Sequence, residues 1–266
     1  MENINDLLKE YKAKKFNDSQ LAKIREGLLK GLDVSWYAKK GMNWRKMGII
    51  LDGLEEGLDV SHYALIKYNI DQMQEIKWGL ESGVDVSIYA KPDFKYYQMS
   101  EIRRGLEEGL DVSIYADPMF DDSQMTQIRW GLVEGVDVSV YANTKYTANQ
   151  MFEIRKGLES NIDVSKYSNV EYNFEQMAEI RKGLEIGIDV SPYINSNYIW
   201  QQMYHIKKGL ENGVDISLYA DVNYKSGQMG EIRLGLEKGL DVSAYTSPEY
   251  SPEQMRKIRE RLEEGK

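Results

Sequence analysis

Three residue types able to bind or catalyse recur in this chain at a fixed spacing of 26 residues. Aspartate stands at 33, 59, 85, 111, 137, 163, 189, 215 and 241. A cation stands at Arg25, Lys77, Arg103, Arg129, Arg155, Arg181, Lys207, Arg233 and Arg259, broken only by Leu51. Tyrosine stands at 37, 63, 89, 115, 141, 167, 193, 219 and 245. Stacked carboxylates could hold Ca²⁺, but that ion needs six to eight oxygen ligands. Each aspartate here is followed by Val or Ile and then Ser, not by further oxygen donors. Capping of nearby backbone, or pairing with a neighbouring cation, suits the pattern better.

The cations allow two readings. One basic residue per repeat could follow a phosphate backbone, as repeat proteins that read one base per unit do; Arg103, Arg129, Arg155, Arg181, Lys207 and Arg233 would form that track. Glu81, Glu107, Glu159, Glu185, Glu211, Glu237 and Glu263 lie four residues after a ladder cation, however, so inter-repeat ion-pair ladders are the expected use. The tyrosines, with a second aromatic row from Phe16 through Tyr68, Phe94 and Phe120 to Tyr250, could stack bases. Packing between repeats is the expected job. The only histidines, His62 and His205, occupy unrelated positions in the unit, and no phosphate loop or metal spacing appears. An enzyme needs several positioned groups. The sequence therefore points to no catalytic residue, no cofactor and no metal.

The elements that position these ladders are legible in one unit. Met125, Ile128, Leu132 and Val136 fall at steps of three and four, which makes one helical stripe. Asn17, Asn43, Asn69, Asp121, Thr147, Asn173 and Ser251 supply N-caps, whereas Lys95, Ile199 and Lys225 predict less cleanly started helices. Gly31 and its counterparts, replaced once by Asn161, mark a left-handed helix stop. A second short turn follows, with the serine of Asp-Val-Ser expected as its cap. An inner glycine (Gly27, Gly53, Gly79 and onward) lies inside each helix at a cost of about 1 kcal/mol relative to alanine. Close approach by the adjacent repeat is the expected reason, and Arg261 takes its place in the last unit.

A fixed period of this size means that each unit buries its apolar face against its neighbours. The expected fold is all-α: an α-solenoid of about ten 26-residue repeats, each one α-helix of about 13 residues plus a short helical turn. Residues 1–15 read as an N-terminal helical cap, 16–251 as the tandem repeats, and 252–266 as the last repeat helix and C-terminal cap. The net charge of −9 argues against nonspecific coating of nucleic acid. The absence of cysteine excludes disulfides and thiolate chemistry. No signal peptide or membrane span is evident, so a cytoplasmic location and no membrane partner are expected. The sequence does not specify an oligomeric state.

The stretch Gln98 to Ala116, of the form QMxEIRxGLExGLDVSxYA, resembles tandem helical repeats of bacterial and of phage or mobile-element proteins. Its plan is also similar to the variant leucine-rich repeats, which alternate an α-helix with a 3₁₀ turn. The resemblance implies a repeat scaffold and carries over no catalytic or binding residue.

Function is expected at positions that vary. The residue between Ser and Tyr reads Trp36, His62, Ile88, Ile114 and Val140 in the first five repeats, a candidate apolar strip. Trp78 and Trp130 precede the inner glycine, lie off the apolar stripe, and are candidate hot spots. Ile49 and Leu51 replace a polar pair in the second repeat and suggest burial by a partner, a second copy or the N-terminal cap. The reading is a non-catalytic scaffold that binds a protein along an extended face, in its narrowest form a phage or mobile-element inhibitor of a host or defence protein. The alternatives are nucleic-acid binding through the Arg/Lys ladder, or an acidic mimic of nucleic acid.

Overall fold

The structure, a computed structural model, describes residues 4–265. Residues 1–3 of the expected N-terminal cap and residue 266 of the expected C-terminal cap lie outside them. Among the described residues there are eleven α-helices and no strand, and the fold is an α-solenoid of tandem repeats. It divides into two compact units, Met1–Val133 and Glu134–Lys266.

The first unit contains α1 (Ile4–Ala13), α2 (Asp18–Leu29), α3 (Trp44–Glu55), α4 (Ile70–Glu81), α5 (Tyr96–Glu107) and α6 (Asp122–Val133). The second contains α7 (Ala148–Glu159), α8 (Phe174–Glu185), α9 (Trp200–Glu211), α10 (Ser226–Glu237) and α11 (Pro252–Glu264). Within each unit every helix packs on the one before and the one after it. The repeat helices α2–α10 span 12 residues rather than about thirteen. Their apolar stripe supplies the core: Met73, Ile76, Met99 and Ile102, for example, are fully buried.

Each helix starts and stops as its local chemistry requires. The Asn69 side chain accepts from Gln72 N at 2.8 Å, and the Gln72 amide oxygen accepts from Asn69 N at 2.8 Å, a reciprocal cap. Lys95, Ile199 and Lys225 offer no side-chain cap, as expected. Their N–H groups still donate to a glutamine at the third helical position, which keeps those starts in register. At the other end Gly31 (φ 71°) and Asn161 (φ 55°) adopt the left-handed conformation. Leu32 N then donates to Gly27 O at 2.9 Å, closing the carbonyls that the helix end leaves open.

The next turn corrects the expected cap. Aspartate, not serine, begins the 3₁₀ turn at Val86–Ile88, with Asp85 accepting from Ser87 N at 3.0 Å and from Ser87 Oγ at 2.6 Å. Those bonds, the side-chain one first, hold the Asp85 carboxyl below its usual range. The same aspartate–serine contact recurs from Asp33 to Asp241. This is the aspartate ladder's use as a backbone cap.

The inner glycine is also corrected. The atoms that claim its space belong to the same repeat, not to the adjacent one. A Cβ on Gly79 would overlap the Tyr89 hydroxyl outright and stand 2.8 Å from Val86 Cγ1. Tyr89 is fully buried and donates to Glu75 O at 3.2 Å, so its ring folds back onto the helix that its own turn follows. Burial pushes its phenol pKa up. This first tyrosine ladder thus makes its hydroxyl bonds inside the repeat. The second aromatic row does reach across: Tyr198 donates to Ala220 O at 2.8 Å.

Glutamine ties a helix to the loop that leads into the next one. Gln72 Nε2 donates to Phe94 O at 2.7 Å and to Pro92 O at 3.2 Å. Gln98, Gln150, Gln176, Gln202 and Gln228 repeat both bonds. Lys46, in the one repeat without this glutamine, donates to Ile66 O at 2.8 Å instead.

Candidate interaction surfaces

The cation ladder is built into the scaffold. Arg103 Nε meets Glu75 Oε2 on the preceding helix at 3.0 Å, while Nη1 meets Glu107 on its own helix at 2.8 Å. Arg129 reaches Glu101 at 2.9 Å and Glu108 at 2.7 Å. Arg181 pairs with Glu153 and Glu185, Lys207 with Glu179, and Arg155 with Glu159. Arg233 pairs with Glu237 and donates weakly to His205 Nδ1 at 3.4 Å. The Arg129 side chain is only 9% exposed, so little of its guanidinium faces solvent. Burial pushes Glu75 above the usual carboxylate range, partly offset by Arg103. Phosphate would have to displace these carboxylates to reach the ladder.

The irregular second repeat obeys the same geometry. Position 51 should pair with position 23, and here the two are Leu51 and Lys23. Lys23 turns to Glu26 at 2.9 Å, and Leu51 is fully buried within the first unit. Ile49 likewise stands where Lys77 would find its carboxylate, and Lys77 pairs with Glu56 and Glu81. Leu51 is therefore a packing residue rather than a contact for a partner, and Ile49 is half-buried.

The other candidates reach the surface to different extents. Trp78 and Trp130, both in the first unit, are each 43% exposed. The Arg103 guanidinium lies 5.5 Å from the Trp78 ring, and an open cavity of about 130 Å³ there is bordered by Asp71, Glu75 and Tyr96. Trp36, Ile88 and Ile114 end successive 3₁₀ turns of the first unit apart from the interposed His62. Ile114 is exposed, whereas Trp36 and Ile88 are half-buried. Val140, in the second unit, is half-buried as well.

A further surface lies where the helices begin. In the second unit Val170, Phe174, Ile199, Trp200 and Val222 are all exposed. They flank the starts of α8, α9 and α10, and Val170 and Phe174 border an open groove of about 460 Å³. In the first unit Trp44 holds the position of Phe174 and Trp200 and is exposed, as is Tyr97, the second residue of α5. Sequence reasoning missed this edge by following the interior stripe. The available signal was an aromatic or branched residue at a helix start, where other repeats place Asp, Ser, Ala or Pro.

Among the described residues no cluster of His, Asp and Glu could hold a metal ion, and no helix is long and apolar enough to cross a membrane. Comparison with protein-family models, curated proteins and solved structures returned no match.

Proposed function

We propose that this chain is a non-catalytic repeat scaffold that binds a protein partner through exposed apolar side chains at its variable positions. One observation carries the reading. The recurring polar and charged groups are consumed in caps, seams and ion pairs, whereas the varying helix-start positions of the second unit expose Phe174, Ile199 and Trp200, with Phe174 bordering an open groove. Exposed aromatic side chains on a rigid backbone bind with little ordering cost, and such residues dominate interface energetics. Trp78 and Trp130 offer a second contact of the same kind on the first unit.

The test is capture of partners from the native host's lysate, with and without nuclease, followed by affinity measurement on the purified pair. Phe174→Ser/Trp200→Ser should weaken binding at least tenfold while the circular dichroism spectrum stays unchanged. A folded variant that binds every captured protein with wild-type affinity would remove this face from the proposal. Trp78→Ala/Trp130→Ala tests the other contact in the same way. The narrower reading, a phage or mobile-element inhibitor, is supported by the resemblance of the repeat sequence alone; the identity of the captured protein decides it.

A further inference from the structure

Charge is unevenly distributed along the chain. Residues 1–50 hold eleven lysines and arginines against six carboxylates, while the rest of the chain holds 23 against 37. The two sets of cations also differ in what they touch. Arg103, Arg129, Arg181 and Lys207 are spent on buried glutamates. Among the described residues Lys12, Lys14, Lys15, Arg25, Lys40 and Arg45 form no ion pair at all.

These free cations are interleaved with aromatic rings. Lys14 lies 5.1 Å from the Tyr11 ring and Arg45 lies 5.4 Å from Trp44; Lys39, which donates to Ala64 O at 3.3 Å, lies 5.5 Å from Trp36. Trp44 itself is 45% exposed. Lys14, Lys15 and Lys40 come from two successive loops and line one small cleft of about 60 Å³ with Gln20. Lys15 and Lys40 stand three and four residues before the starts of α2 and α3, so an anionic occupant here would also lie near the positive ends of those helices.

We propose that this corner of the first unit binds single-stranded nucleic acid, its phosphates held by Lys14, Lys15 and Lys40 and a base stacked on Trp44. Cations that track a backbone, set beside an exposed ring that any base can cover, are the two requirements of such binding. An anionic membrane would use the lysines but needs an apolar helix face to insert, and the Leu8 side of α1 is turned to α2, where Leu8 and Leu21 line the same groove. An acidic peptide would leave the aromatic faces without a use. The site differs from the buried cation ladder and shares no residue with the Phe174 and Trp200 edge.

The experiment is fluorescence anisotropy with labelled 20-nucleotide oligothymidylate and oligouridylate over stepped salt. Contact with about three phosphates predicts a log–log salt slope of about −2. Lys14→Glu/Lys15→Glu/Lys40→Glu should weaken binding by more than about thirtyfold, and Trp44→Ala by about tenfold. The charge-matched Lys145→Glu/Lys166→Glu/Lys225→Glu, confined to the second unit, should change affinity less than threefold. The proposal is overturned by absence of binding at 50 mM salt, by equal losses in the two triple variants, or by an unaffected Lys14/Lys15/Lys40 variant. Binding to phosphatidylserine vesicles without oligonucleotide binding would overturn it in favour of a membrane. None of these results depends on whether a protein partner is found.

Discussion

The hydroxyl of Tyr89 occupies the volume that a methyl group on Gly79 would need, ten residues earlier in the same repeat. Alanine in a helix interior ordinarily stabilises by about 1 kcal/mol relative to glycine. Gly79→Ala should instead destabilise by about 1–3 kcal/mol, because the buried ring has no room to retreat. Removing the hydroxyl in Tyr89→Phe should recover part of that loss in the double variant. Urea unfolding of all four proteins checks the coupling; additive effects would show that the contact is not the cause.

Gln176 ties α8 to the loop that leads into α9 through one amide. Its Nε2 donates to Ser196 O at 3.1 Å and to Tyr198 O, while its oxygen accepts from Asn173 N at 2.8 Å. Gln176→Ala strands buried groups on both sides and should cost about 2–4 kcal/mol. Hydrogen exchange should show the loss at residues 173–200 before it appears elsewhere in the second unit. Uniform deprotection of that unit would count against a local seam.

Arg129 and Glu101 form a pair that is about nine-tenths buried on both sides. Arg129→Leu leaves Glu101 without its main partner and should cost about 2–3 kcal/mol. Glu101→Ile/Arg129→Leu should recover more than half, since an apolar replacement of the whole pair removes the desolvation penalty. Leu51 shows that the scaffold tolerates a buried leucine at the cation position. Thermal melts of the two variants and the wild type separate the cases.

His205 replaces the glutamate that Arg233 would otherwise meet. Burial and, after it, the neighbouring Arg233 guanidinium together lower its pKa to about 4. The unfolded chain takes up this proton near pH 6.5, so the stability from neutral His205 is complete above that pH. It falls as the pH drops from about 6.5 towards 4. With allowance for the residue's partial exposure, the loss should be about 1–2 kcal/mol. His205→Gln should flatten this part of the profile, as read from urea midpoints at pH 7.5 and 4.5. An unchanged pH profile would mean that His205 is not the titrating group.

The solenoid was legible because its determinants are local and repeated. Asn17 as cap, Gly31 as stop and the Met125–Ile128–Leu132 stripe each act within a few residues. The pairings that join Gly79 to Tyr89, or Glu101 to Arg129, were not legible. Their partners lie 10 and 28 residues apart, and only the winding of the chain selects them. The Gln72 seam escaped for a related reason: its oxygen's capping role follows a local rule, but its nitrogen finds carbonyls in the next loop. Exposure of Trp78 could be suspected from its place off the stripe. The Phe174 and Trp200 edge was marked only by aromatic residues at helix starts, a weaker signal because a helix start is exposed or covered according to the loops around it.

The shared amide of Gln72 also has a mechanical consequence. Its two ends grip the first turn of α4 and the loop that leads into α5, so tension cannot open that turn without also releasing the loop at Pro92 and Phe94. Stretched from its ends, the first unit should yield in discrete steps of one 26-residue repeat, each releasing about 90 Å of extended chain. The same stitch makes each repeat a ratchet tooth: slack in one is passed to the next only after both carbonyls let go.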